Sequence, residues 1–183
     1  MTEYELNESK FDSCSLSGCN DLNGADLRLL TKSIAKNVTR AVAQCRMTLG
    51  TAKMLIEQGE KEAEAIGVPM VISVVDEGGN LTALHRMDSS LLASLCVSQS
   101  KAFTALALRA PTGEAAKTIL PGQPLYGLQN THPGQFCLFG GGFPLMSCGC
   151  CIGAVGVSGG TTEQDTAVGE RIVQWFEERN QET

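Results

Sequence analysis

The chain reads as an α+β domain, an antiparallel five-stranded sheet with helices packed on it. Two observations predict this. The runs VPMVISVVD (68–76) and LTALHRM (81–87) flank the turn EGGN, and QFCLFGGGFPLMSCGCCIGAVGV (135–157) breaks at glycines into three more short apolar runs. Between and around them lie stretches whose apolar residues recur every three or four positions, the period of a helix with one buried face.

In chain order, Leu27, Leu30, Ile34, Val38 and Val42 mark a first amphipathic helix, with Arg28, Lys32, Lys36 and Arg40 stepping by four along a cationic edge. Asn23 and Gly24 supply the turn before it. From Thr48 a second stripe runs through Ala52, Leu55, Ile56, Gly59, Ala63 and Ile66 and stops at Gly67. After the first two strands, Ser89 or Ser90 is the expected cap of a helix that reaches about Arg109. Pro111 and Thr112 open a short helix to Leu120, and residues 121–134 are too rich in Pro and Gly for regular structure. Strands are expected over 135–139, 143–147 and 150–157. Thr162 followed by Asp165 predicts a capping box for a last helix built on Val168, Ile172, Trp175 and Phe176.

The 183 residues suit one sizeable domain, and 43% hydrophobic with 19% charged residues is globular usage. Net charge divides the chain: residues 1–26 hold one base and six acids, residues 27–46 hold five bases and no acid, and 47–183 carry −6. We therefore expect an N-terminal extension over 1–46 and a domain over 47–183. The acidic balance argues against nucleic acid and anionic lipid as partners, both of which select basic surfaces. A polar, acidic start and the lack of a ~20-residue apolar run predict a cytoplasmic protein with no membrane partner.

Candidate chemistry is sparse. Two histidines, His85 and His132, exclude a three-His metal site within one chain. Cys14 and Cys19, and Cys148, Cys150 and Cys151, lack paired C-x-x-C spacing and read as buried or incidental thiols. Ser158 has Gly156 and Gly160 in G-x-S-x-G register, but no parallel sheet precedes it. Gly140, Gly141 and Gly142 lie between strands, so they read as a tight turn that approaches a neighbour or ligand closely rather than as a phosphate loop. A 14-residue structureless loop is uncommon unless it binds something. Loops on a rigid scaffold concentrate binding residues, so the ends at 86–88, 123–132 and 140–143 are expected to converge on one pocket.

From Met47 onward, the strings MTLGTAKMLIEQGEKEAEAIGVPMVISVVDEGGNLTALHRMD, KAFTALAL, PGQPLYGLQ, FGGGFPL and GAVGVSGGTTEQD resemble the GlcG/HbpS family, most closely the branch containing the C-terminal domain of PduO-type proteins. The resemblance covers about Met47 to Phe176. It departs at Arg86-Met87-Asp88-Ser89-Ser90, where RMDGA or RMDDA is frequent, and at Cys148-Gly149-Cys150-Cys151 in place of a turn such as Asp-Gly-Lys.

The resemblance implies a profilin-like fold, homo-oligomers from dimer to octamer, and haem- or corrinoid-linked biology in glycolate metabolism, haem sensing or propanediol microcompartments. With only 46 residues ahead of the matching region, no adenosyltransferase activity is carried over. The expected function is small-molecule binding, with haem or a related tetrapyrrole as ligand. In that pocket Gly140, Gly141 and Gly142 would form the floor, Tyr126 and Phe143 the apolar faces, and Arg86 the partner of a propionate. His132 is the inferred iron ligand, from its place in a loop and the suitability of neutral imidazole rather than from a family motif. The alternative is an enzyme acting on a small metabolite or peroxide, with Asp76, Arg86 or His132 as its polar groups.

The 27–42 helix is expected to dock on a protein partner or neighbouring subunit, its cationic edge meeting carboxylates. Removing residues 1–46 should lower the mass found by light scattering or abolish partner capture. Unchanged values for both would assign the helix to covering its own domain.

Overall fold

A computed structural model describes residues 28–36, 38 and 46–181. The chain divides into two units, 1–40 and 41–183. In the first, residues 28–36 are helical (α1). Leu29, Leu30, Ile34 and Val38 are 67%, 50%, 54% and 56% exposed. Leu27, Arg40, Val42, the turn at Asn23 and Gly24, and Cys14 and Cys19 lie outside the described residues.

The second unit runs α2 (Leu49–Ala65), β1 (Val71–Asp76), β2 (Leu81–Arg86), α3 (Ser94–Leu108), α4 (Thr112–Thr118), a 3-10 turn (Leu128–Asn130) within the loop expected to lack regular structure, β3 (Gly142–Ser147), β4 (Cys150–Ser158) and α5 (Thr162–Gln181). No helix among the described residues is long and apolar enough to cross a membrane. The sheet is antiparallel in the order β2-β1-β4-β3. It has four strands rather than the expected five. Residues 136–138 have no regular structure and pair with no strand, because the segment lies along α3: the Cys137 amide donates to Thr104 Oγ1 at 2.8 Å, and the Phe136 ring meets Phe103.

Both faces of β1 are covered, so Val71, Ile72, Ser73, Val74 and Val75 are all buried. On one face Ile72, Val74, Val155 and Val157 pack with Leu55 and Ile56 of α2 and Val168, Ile172 and Phe176 of α5. The other face seats α3 on small residues. Ser73, Gly156 and Gly142 align across three strands, and a Cβ on Gly156 would lie 2.0 Å from the Ser98 carbonyl oxygen, one on Gly142 2.5 Å from that of Lys101. The helix backbone rests on the sheet, and the Ser73 and Ser98 hydroxyls bond at 2.7 Å between them.

Thr48 caps α2, its side chain accepting from the Thr51 amide at 3.1 Å. Two expected caps shift. α3 starts at Ser94, since Ser89 sits at φ 66° and the buried Ser90 hydroxyl donates to Met87 O at 2.7 Å, holding the strand end instead. The capping box of α5 is Thr161 and Gln164, which exchange bonds of 2.9 and 3.3 Å, one residue ahead of the expected pair.

Asp165 is thereby released for another role. Its Oδ2 accepts from Lys101 Nζ at 2.6 Å, while Oδ1 accepts from the Gly159 and Gly160 amides at 3.1 and 2.9 Å. Lys101, 0% exposed, also donates to Val157 O at 2.8 Å and lies 4.9 Å from the Phe139 ring centre. All three ammonium protons thus have an acceptor or π face. The pair ties α3 to the end of β4 and the start of α5.

At the β1–β2 turn, Asp76 Oδ1 accepts from the Gly78 and Asn80 amides, each at 2.9 Å. Burial pushes its carboxyl up, but bonds from Asn80 and Gly78, with Arg46 nearby, outweigh this and hold it below the usual range.

Two outcomes follow. Lys101→Met should cost ~3–5 kcal/mol in denaturant unfolding, because it strands a buried carboxylate. Since the folded Asp76 pKa is depressed, its contribution is complete above the unfolded value of about 3.9 and is lost as pH falls through the folded value. Asp76→Asn should therefore flatten part of the acid limb of stability measured between about pH 5 and 2.

Candidate functional site

The predicted site residues do not gather in one cavity. Arg86 closes β2 and Gly142 opens β3, at the same end of the sheet but on its two outer strands. Three strand spacings separate them, ~14 Å. Arg86 donates from Nε to Ser90 Oγ at 3.4 Å and from Nη2 to Ser90 O at 3.0 Å, which locks the hairpin to the following turn. Its hollow is shared with Glu60, Glu64, Met87 and Asp88. Three carboxylates around one guanidinium disfavour an incoming propionate.

The glycine turn is packed rather than open. Gly140, Gly141 and Gly142 are buried. A Cβ on Gly141, at φ 113°, would lie 2.8 Å from Lys101 Nζ, and Gly140 abuts Thr166 and Thr162 of α5. Thr112 Oγ1 closes the turn, donating to Phe139 O at 2.8 Å and accepting from the Gly142 amide at 2.9 Å. The backbone here makes room for the Lys101 clamp, not for a ligand floor. Phe143, 8% exposed, packs in the core against Gly169 of α5, so its ring offers no ligand face. Tyr126 is 65% exposed in the loop.

A different set does gather. Val75, Gly79 and Leu81 of the β1–β2 hairpin, Gln99, Ser100 and Phe103 of α3, and Gly134 and Gln135 of the loop line a hollow of about 180 Å³. Ser100 Oγ donates to Gly134 O at 3.3 Å and pins the loop to the helix. From Phe103 a line of rings leads outward: Phe136 at 6.0 Å between centres, then His132 edge-on to Phe136 at 5.5 Å. His132 therefore stands with aromatic faces.

Its tautomer can be argued from its neighbour. The Thr131 hydroxyl donates to Leu128 O at 2.7 Å, so toward His132 Nδ1, 3.0 Å away, Thr131 Oγ1 can only accept. Nδ1 carries the proton, and Nε2 of the neutral ring keeps its lone pair. His85 is held alike through Nδ1 by Glu60 Oε1 at 3.0 Å, but beside the acidic hollow of Glu60, Glu64 and Asp88 and away from these aromatic rings.

The remaining candidates are engaged or inert. Asp76 is held by its turn. The Ser158 hydroxyl donates to Ser94 Oγ at 3.1 Å, with no histidine in contact. Burial pushes the Cys137 thiol up, more than the Lys101 charge draws it down, so the thiolate is disfavoured. Of the expected buried or incidental thiols, Cys148 and Cys150 are exposed and Cys151 half-buried, because they occupy a hairpin tip. Among the described residues no three His, Cys, Asp or Glu side chains are placed to hold a metal ion. Sequence reading missed Lys101 and Phe103, although Ser94, Ser98, Lys101, Ala102 and Ala105 keep helical spacing and place Lys101 on the buried stripe.

The family model described as haem degrading protein HbpS-like matches residues 47–174. A 15.0 kDa Citrobacter freundii protein from the dhaT–dhaS intergenic region is 46% identical over 132 residues, 72% of this chain and 93% of its own. The corrinoid adenosyltransferase PduO of Citrobacter freundii is 36% identical over 74% of this chain, which spans only 41% of that protein. A crystal structure of a PduOC:heme complex superposes with TM-score 0.68 at 34% identity, covering 70% of this chain and 94% of that one. The chain belongs to the HbpS-like, or GlcG/HbpS, family, near its PduO-type branch.

Proposed function

We propose that the protein binds haem or a related tetrapyrrole beside α3, with His132 as the iron ligand. The observation that carries this reading is the imidazole whose Nδ1 is held by Thr131, leaving Nε2 available at the end of the Phe103–Phe136 ring line. The haem complex of a PduO-type relative supports the ligand class. The lining fits in kind, apolar faces from Val75, Leu81 and Phe103 with polar groups from Gln99 and Ser100. At about 180 Å³ the hollow is smaller than the ~300–1,000 Å³ that encloses drug-sized ligands. One chain would therefore hold an edge of the macrocycle, and a second copy in a homo-oligomer would cover the rest.

Bound haem would supply iron-centred ligand exchange or electron transfer, and this chain's part is to orient His132 and shield one ring face. A profilin-like arrangement, a cytoplasmic place within a propanediol-type microcompartment, and a link to corrinoid or glycolate metabolism belong to the same reading, the corrinoid link being supported by the relative named corrinoid adenosyltransferase PduO. The enzyme alternative has less support, since Asp76 and Arg86 are both committed to structural bonds. For α1, exposure of its leucines supports docking to a protein partner.

Hemin titration followed by the Soret band should show saturable binding. His132→Ala should shift the band and weaken binding at least about tenfold, with His85→Ala close to the parent. Survival of the band in His132→Ala with its loss in His85→Ala would move the site to the acidic hollow.

A further inference from the structure

We infer that Arg109 is the anion-receiving group of this site, pairing with a carboxylate of the tetrapyrrole. The inference rests on the haem reading above and adds the end of the groove that would select acidic side chains on the ligand.

On the other side of the Phe103–Gly79 contact lies a second hollow, of about 310 Å³, lined by Leu106, Arg109 and Cys151 among others. Both hollows are bounded by Gly79 and Phe103, so a flat ligand lying over that contact along the flank of α3 would reach both. The Gly79 conformation, φ 80°, is what brings the turn to the ring: a Cβ there would already be 3.2 Å from Phe103. The second hollow is apolar on Leu106, with one cation and one carboxylate in its lining, Arg109 and Glu77. Glu77 is taken by Arg46 at 3.1 Å. Arg109 forms no ion pair among the described residues.

The backbone of Arg109 points the same way. It ends α3 in the left-handed region at φ 50°, ψ 38°, where glycine is the favoured residue and a long side chain is disfavoured. Helix-end electrostatics offers one reason for a cation there. That reason would operate without the groove, so the test separates them. An unpaired guanidinium at the edge of an apolar groove is suited to bidentate capture of a carboxylate, the group a propionate side chain presents.

The experiment compares hemin with hemin dimethyl ester on the full chain and on Arg109→Gly and Arg109→Glu, by Soret titration, with thermal unfolding measured alongside. Arg109→Gly suits the backbone and should leave the midpoint unchanged or raised. The parent should bind hemin about tenfold more tightly than the ester. Arg109→Gly should erase that preference by weakening hemin alone, and Arg109→Glu should reverse it. Equal affinities in the parent, or an unchanged preference in Arg109→Gly, would overturn the assignment while leaving haem binding intact. A change in the unfolding midpoint with the preference intact would assign Arg109 to the helix end and likewise overturn it. Failure of the parent to bind either compound would instead overturn the haem reading itself.

Discussion

The ammonium group of Lys101 joins α3, β4 and α5 at a single buried point. It reaches through the packed layer from α3 to the last carbonyl bonds of β4 and to the carboxylate that begins α5. Such a pair contributes little net energy compared with apolar residues of similar shape, because desolvating two charges offsets much of their attraction. Its value lies in direction. An apolar contact at this depth would tolerate sliding of α3 along the sheet, whereas two charged hydrogen bonds and a ring face admit one position. The glycines at 140–142, with Thr112 and Phe139 beside them, are shaped around that position.

That arrangement explains where the candidate site can and cannot be. The middle of the sheet is closed on both faces, by α2 and α5 on one side and by the tightly seated α3 on the other. Apart from the acidic hollow at Arg86, space for a ligand lies along the flank of α3, between the hairpin turn, the helix and the 134–135 backbone. The loop is held there by few bonds, among them Ser100 to Gly134 and Thr104 to Cys137. His132 owes its orientation to one local hydroxyl rather than to the core.

Periodicity made the second helix legible almost residue by residue, since Ala52, Leu55, Ile56, Gly59 and Ala63 are the residues it buries. Both hairpins were equally readable from their turn glycines. The supposed strand at 135–139 failed because apolar alternation cannot distinguish pairing with a sheet from lying on a helix; the deciding bond, from Cys137 to Thr104, is made by a distant side chain. The same limit applied to the site. Arg86 and the Gly140–Phe143 segment look functional as motifs, yet their chemistry is spent on a turn and on the core. His132 was visible as a loop histidine, but its tautomer required knowing what Thr131 was already bonded to.

The alignment of Ser73, Gly156 and Gly142 under α3 has a consequence for how such a protein can diversify. With helix backbone resting on strand backbone at Gly156 and Gly142, that row offers no side-chain volume to trade. Drift in this row is therefore confined to the smallest residues, while lengthening or recomposing the 121–135 segment leaves the seat of the helix untouched. Ligand preference can change by editing the rim, and the scaffold need not adjust to follow it.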